Sequence, residues 1–215
     1  MKALALCLLV ACAGTTDAQE EESKSSKVRF GIHGNITSIS LPGPEINGAQ
    51  RLKDIYGTGY GGGVHFDVNF VMFSFRLSGD FLTFAPDNER YRDALSRLTG
   101  LPASQFSIDG GRINILSGTV NGKAMLLPLP LVSPYLTGGI GLALLSVDDA
   151  KIAFPGLPGY TVRGWFSSDM KTTFNLGAGV DLNVAIPLFL EVKYVWILTE
   201  GSSSTYVPVT LGITF

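Results

Sequence analysis

Eight stretches of this sequence alternate with period two, and that alternation constrains the fold more than any other feature. Successive side chains of a strand point to opposite faces. At the C-terminus Val207, Val209, Leu211, Ile213 and Phe215 fall on one face, and Tyr206, Pro208, Thr210, Gly212 and Thr214 on the other. Upstream, Leu190, Val192, Tyr194, Trp196 and Leu198 oppose Glu191, Lys193, Val195, Ile197 and Thr199. The same division recurs in the stretches holding Phe174–Leu182, Leu136–Leu144, Leu116–Leu126, Phe73–Phe81, Tyr60–Phe70 and Val28–Ile36. This predicts about eight strands of roughly ten residues each, the length a tilted strand needs to cross a bilayer.

Composition says which side of such a sheet meets which solvent. Hydrophobic residues make up 46% of the 215 and charged residues only 16%, against roughly 25% charged in soluble domains. Mean hydropathy is +0.28. Disorder and coiled coils are thereby excluded. Beyond the first 18 residues no uninterrupted apolar run reaches the roughly 18–20 residues of a spanning helix. A hydrophobic chain without spanning helices satisfies its backbone in lipid by closing into a β-barrel. A net charge of -2 gives no reason to expect a nucleic-acid partner.

One face of every strand is apolar and bulky, the other small, polar or charged. A soluble lipocalin-like barrel would bury the first face, a membrane barrel the second. The abundance of Gly, 26 residues, on the polar face suits a narrow, crowded interior. That face also carries balanced charges, Arg29, Arg76, Lys123 and Lys193 against Asp67, Asp80, Asp181 and Glu191. Eight strands leave an interior just wide enough for side chains to fill, and charges buried there must pair. The expected partners are Asp67 with Arg76, and Asp181 with Glu191 or Lys193 at comparable height.

Long and short connections alternate. Residues 43–57, 86–111 and 147–170 are long, and 200–204 shorter, whereas the turns at 69–72, 127–133 and 184–187 are tight. Outer-membrane barrels place long loops outside and short turns in the periplasm, so both termini are expected in the periplasm. The second long loop, Asp87 to Gly100, reads as a short amphipathic helix with a cap at Asp87 or Asn88, a stop at Gly100, and Tyr91, Ala94, Leu95 and Leu98 at helical spacing. The third is unusually apolar, with Phe154, Tyr160, Trp165 and Phe166. Such a patch suits contact with a ligand, a lipid or a host surface, unless the flanking strands extend upward and it packs on itself. Tyr60, Tyr194, Trp196, Phe73 and Phe215 are placed to form interfacial aromatic belts.

Residues 1–18 read as a signal peptide with a short basic start and an apolar core, cleaved after Ala18. Leu9-Val-Ala-Cys12 offers the alternative of lipidation at Cys12. Both cysteines, Cys7 and Cys12, lie in this segment, so a chain cleaved at Ala18 has neither disulfide nor thiolate site. Residues 19–26 read as a polar leader and 27–215 as the barrel domain.

The last strand, Tyr206-Val-Pro-Val-Thr-Leu-Gly-Ile-Thr-Phe215, resembles the C-terminal insertion signal of bacterial outer-membrane proteins, carried here by Tyr206, Val209, Leu211, Ile213 and Phe215. Pro134-Tyr-Leu-Thr-Gly-Gly-Ile-Gly141, Leu176-Gly-Ala-Gly-Val180 and Pro187-Leu-Phe-Leu-Glu-Val-Lys-Tyr194 resemble strands of small eight-stranded barrels of the OmpA, OmpX and OmpW kind. The resemblance covers residues 27–215. It implies an antiparallel up-and-down transmembrane barrel in the outer membrane, a monomer inserted by the barrel-assembly machinery with periplasmic chaperones. Its implied surroundings are outer-membrane lipid and lipopolysaccharide or an equivalent. It leaves activity open among adhesins, structural anchors, narrow channels for small or hydrophobic solutes, and a few enzymes.

His33 and His65 both face inward on neighbouring strands. A metal or catalytic pair would need a further donor, for which Asp67 is placed on the same face. The alternative is a hydrogen-bonded interior network. No serine-nucleophile motif accompanies the histidines. The expected protein is therefore non-enzymatic and without a cofactor, its long loops meeting an extracellular or host ligand, with the narrow channel as second reading.

Overall fold

The structure, a computed structural model, describes residues 27–40, 56–70, 72–127, 129–153, 159–163, 165–166, 170–199 and 202–215. The expected signal peptide, leader and Phe154 lie outside the described residues, as do the side chains of Tyr160, Trp165 and Phe166.

Eight long strands form the body: β1 (Lys27–Ser40), β2 (Gly59–Asn69), β3 (Phe73–Phe84), β5 (Ile113–Met125), β6 (Val132–Val147), β10 (Lys171–Leu182), β11 (Leu188–Thr199) and β12 (Ser202–Thr214). Each pairs antiparallel with its neighbours, and β1 closes the ring on β12. The seam is sealed to the last residue: Phe215 N–H donates to the Phe30 carbonyl at 2.6 Å, and Phe30 N–H donates back at 3.2 Å. At 11 to 16 residues the strands exceed the expected ten.

The faces divide as the alternation dictates. Phe73, Phe75, Leu77 and Phe81 are exposed on the outside of β3, while Ser74, Arg76 and Ser78 are buried inside. An outward apolar belt of this breadth has no place in water and matches the lipid face of a transmembrane barrel. Tyr194 and Trp196 meet in a tilted contact, 4.5 Å between ring centroids, near the upper edge of that belt, and Tyr60 is exposed on β2.

The loop end carries a second folded unit. Helix α1 (Asn88–Thr99) starts where Asp87 accepts from the backbone N–H groups of Glu89 and Arg90, and stops at Gly100, in the left-handed region at φ 74°. Both caps are those the sequence calls for. Ala94 of its expected apolar stripe is buried. Strands β4 (Ser107–Gly110), β7 (Ala150–Ala153) and β8 (Tyr160–Val162) form a small sheet, and β9 (Trp165–Phe166) pairs with the top of β6. Phe106, Ile108, Ala150 and Ile152 are buried there. Part of the apolar third loop thus packs within the protein.

Tyr56 ties this cap to the barrel, its hydroxyl donating to the Gly111 carbonyl at 2.9 Å. Burial, reinforced by the nearby Tyr91 phenol, pushes the Tyr56 pKa up from 10.0 to about 12. The neutral phenol is the form the fold favours. Its contribution is complete below the unfolded value near 10 and is lost as pH rises through the folded value. Tyrosinate absorbance should therefore include a late step near pH 12, with protease sensitivity of the loops rising over that alkaline window. A Tyr56→Phe protein should lack the late step.

Candidate functional site

The interior is stratified, and each stratum follows from which residues the inward parity places at that height. The charged layer lies at mid-barrel. Arg76 on β3 donates two hydrogen bonds to Asp67 on β2, Nε at 2.7 Å and Nη2 at 2.8 Å. Its Nη1 lies 3.9 Å from Glu191, and its guanidinium sits over the Phe189 ring at 4.2 Å. Glu191 holds Lys193 Nζ at 2.7 Å and accepts from the Tyr135 hydroxyl at 3.0 Å. Lys123 Nζ donates to both oxygens of Asp181 at 3.1 Å and sits over the Tyr135 ring at 3.9 Å.

The expected pairing of Asp181 needs correction, and Arg29 stands apart from the paired charges. Asp181 meets Lys123 of β5, over the intervening β6, not Glu191 or Lys193 on the neighbouring strand. Register explains this: Glu191 stands opposite Gly179, while Asp181 stands opposite Phe189, one inward position nearer the turn. The bulky Phe189 ring takes the adjacent space, and Lys193 reaches along its own strand to Glu191 instead. Arg29 is exposed at the turn end. Among the described residues no carboxylate oxygen lies within 4.0 Å of it, because Asp67, its cross-strand neighbour, is taken by Arg76.

Two aromatics that sequence reasoning did not single out organise this layer. Tyr135 and Phe189 are each 1% exposed, and glycines form their sockets. A Cβ at Gly179 would lie 2.5 Å from the Tyr135 Cζ and hydroxyl, and one at Gly212 would collide with the Phe189 ring. Their signal was available: each shares inward parity with a charged or polar neighbour, Glu191 two residues from Phe189 and Thr137 two from Tyr135.

Beside the charged layer runs a hydrogen-bonded chain through both histidines. His33 Nε2 lies 2.6 Å from Asp80, the two Nδ1 atoms 3.2 Å apart, and His65 Nε2 3.3 Å from the Thr214 hydroxyl. One proton arrangement satisfies every contact with neutral rings: Thr214 donates to His65, His65 to His33, and His33 to Asp80. Asn35 donates to the same Asp80 oxygen at 3.0 Å and accepts from Thr210 at 2.6 Å. Asp67 does not join the histidines, since both its oxygens serve Arg76. Among the described residues no group of three His, Cys, Asp or Glu side chains is placed to hold a metal.

Above the charges the interior turns apolar. Leu82, Phe84, Ile113, Ile115, Ala143, Val195, Ile197 and Tyr206 form one buried cluster, capped by Tyr56, Leu145 and Val147. The expectation of a polar interior holds only for the lower strata. A void of about 30 Å3 separates charges from plug, room for one or two waters. Below the charges a cavity of about 340 Å3, lined in part by Arg29, Asn69, Ser133 and Asn183, lies at the turn end.

No protein-family model matches this chain, and no curated protein matches it in sequence. Solved structures do. Neisserial surface protein A is 12% identical, aligned over 87% of this chain and 95% of its own, with a TM-score of 0.53. A major outer membrane protein of Thermus thermophilus is 13% identical over 87% and 98%, at 0.49. The attachment invasion locus protein Ail of Yersinia pestis is 13% identical over 88% and 99%, at 0.46. A closed ring of eight antiparallel strands, an unbroken apolar outer belt, and likeness to Neisserial surface protein A along nearly its whole length make this chain a small eight-stranded barrel with the fold of bacterial outer-membrane proteins.

Proposed function

We propose that the protein is a non-enzymatic outer-membrane barrel whose working surface is its extracellular cap, serving adhesion, ligand binding or envelope integrity. The observation that carries this reading is the division of labour between bore and loops. The bore is filled by paired charges below and an apolar plug above, while the loops build a cap with a core of its own. A solute path would need a continuous wet lumen, and a dry cluster closing its outer end opposes one. In this reading the chain acts as a monomer, a signal peptide delivers it, periplasmic chaperones carry it, and the closing strand through Phe215 is read by the barrel-assembly machinery.

The narrow-channel alternative makes the opposite electrical prediction. Purified protein in planar bilayers should show no steady single-channel conductance above baseline. Porin-like steps would replace this reading with the channel. In parallel, α1 exchanged for a Gly-Ser linker should leave a heat-modifiable barrel. Cells carrying it should lose, several-fold, the retention that wild-type cells show on host-cell monolayers or immobilised matrix proteins. Equal retention would remove the cap from the proposed role.

A further inference from the structure

The periplasmic end departs from what water would favour. The turn segments 69–73, 126–134 and 182–190 contain no charged residue. Met72, Leu127, Leu129, Leu131, Val184 and Ile186 are between 46% and 66% exposed. Turns standing in water draw on Gly, Asn, Asp and Ser, and a contiguous apolar rim marks a contact surface.

Geometry says what the rim meets. The upper edge of the outer belt is set by Tyr60, Tyr194 and Trp196. From Tyr60 to Phe70, both of outward parity, is ten residue steps along β2 and its end. At roughly 3.3 Å per residue and a tilt near 40°, that spans about 25 Å, the height of the whole apolar band. The lower edge of the hydrocarbon therefore falls at the turns themselves. The rim continues the lipid-facing belt around the end of the barrel.

Arg29 supplies the polar half. It lines the 340 Å3 cavity beside Leu129, Pro130, Pro187 and Leu188. The two carboxylates of that cavity, Asp67 and Asp181, are already neutralised by Arg76 and Lys123. Among the residues lining the cavity the remaining charge is one guanidinium, and guanidinium matches phosphate by paired hydrogen bonds.

We propose that the periplasmic mouth holds a phospholipid of the inner leaflet, its acyl chains on the rim of turns and its phosphate on Arg29. This goes beyond the role given to the extracellular cap and is independent of it, since it concerns the opposite end of the barrel.

Native mass spectrometry of the detergent-purified barrel tests it, with phosphatidylglycerol as probe. Wild type should retain one lipid. Arg29→Gln and the double variant Leu129→Ser with Ile186→Ser should each weaken retention about tenfold, as loss of one charge-assisted contact does. Arg90→Gln on the cap should change nothing. Because a variant can fail to fold, wild type is also offered diacylglycerol, which keeps the chains and lacks the phosphate. It should bind about tenfold more weakly. Equal retention of the two lipids by wild type, or undiminished retention by folded Arg29→Gln, overturns the proposal. So does displacement of the lipid by millimolar inorganic phosphate, which would leave a free-anion site in its place.

Discussion

Arg76→Ala should destabilise the barrel by about 3–5 kcal/mol, the cost of removing one partner from a buried ion pair. The size follows from what is left behind. Asp67 would lose both of its short hydrogen bonds while remaining 3% exposed. Glu191 would lose a neighbouring cation, and Phe189 the guanidinium over its ring. A carboxylate in that position has neither water nor counter-charge, and its desolvation is uncompensated. Arg90→Ala, which breaks the exposed contact to Asp87, should cost well under about 1 kcal/mol. Urea unfolding of vesicle-inserted protein, followed by tryptophan fluorescence, measures both. An Arg76→Ala protein as stable as wild type would show that the charged layer does not hold the barrel together.

Phe84→Ala should have a comparable effect for a different reason. Phe84 is 0% exposed at the centre of the apolar plug. Removing its ring forfeits the transfer of that surface from water and leaves a cavity, together about 3–5 kcal/mol for a core Phe→Ala. The two substitutions separate the strata electrically as well. With the plug breached, the charged layer beneath still fills the bore, so Phe84→Ala should remain non-conducting in planar bilayers. Conductance appearing on this substitution alone would identify the plug as the sole barrier. A loss below about 1 kcal/mol would mean that the cluster is not packed as a core.

The outer face, the strand order and the α1 caps were legible because each depends on local rules. Phe73, Phe75 and Leu77 share a parity whatever their partners, and Asp87 and Gly100 act within one helical turn. Arg76 with Asp67 was legible too, since a tight turn joins their strands and fixes their relative height. Lys123 with Asp181 was not. They lie 58 residues apart on strands that flank β6 without pairing with each other, and reach each other only because the wall curves over that strand.

The apolar plug shows the same limit more sharply. Val195 and Ile197 share a face with Glu191 and Lys193, and alternation groups all four without saying that the first two belong to a dry stratum. Their outward neighbours Trp196 and Leu198 are apolar as well, so the strand end is apolar on both sides, a signal whose meaning depends on what stands across the bore. Period two by itself determined which side of each strand faces lipid, because that is a property of one chain segment. Which inward residues meet, which glycines make room for Tyr135 and Phe189, and where the interior changes from charged to dry were decided only when eight strands closed at one fixed stagger. Curvature then brought together side chains from opposite walls that no sequence spacing relates.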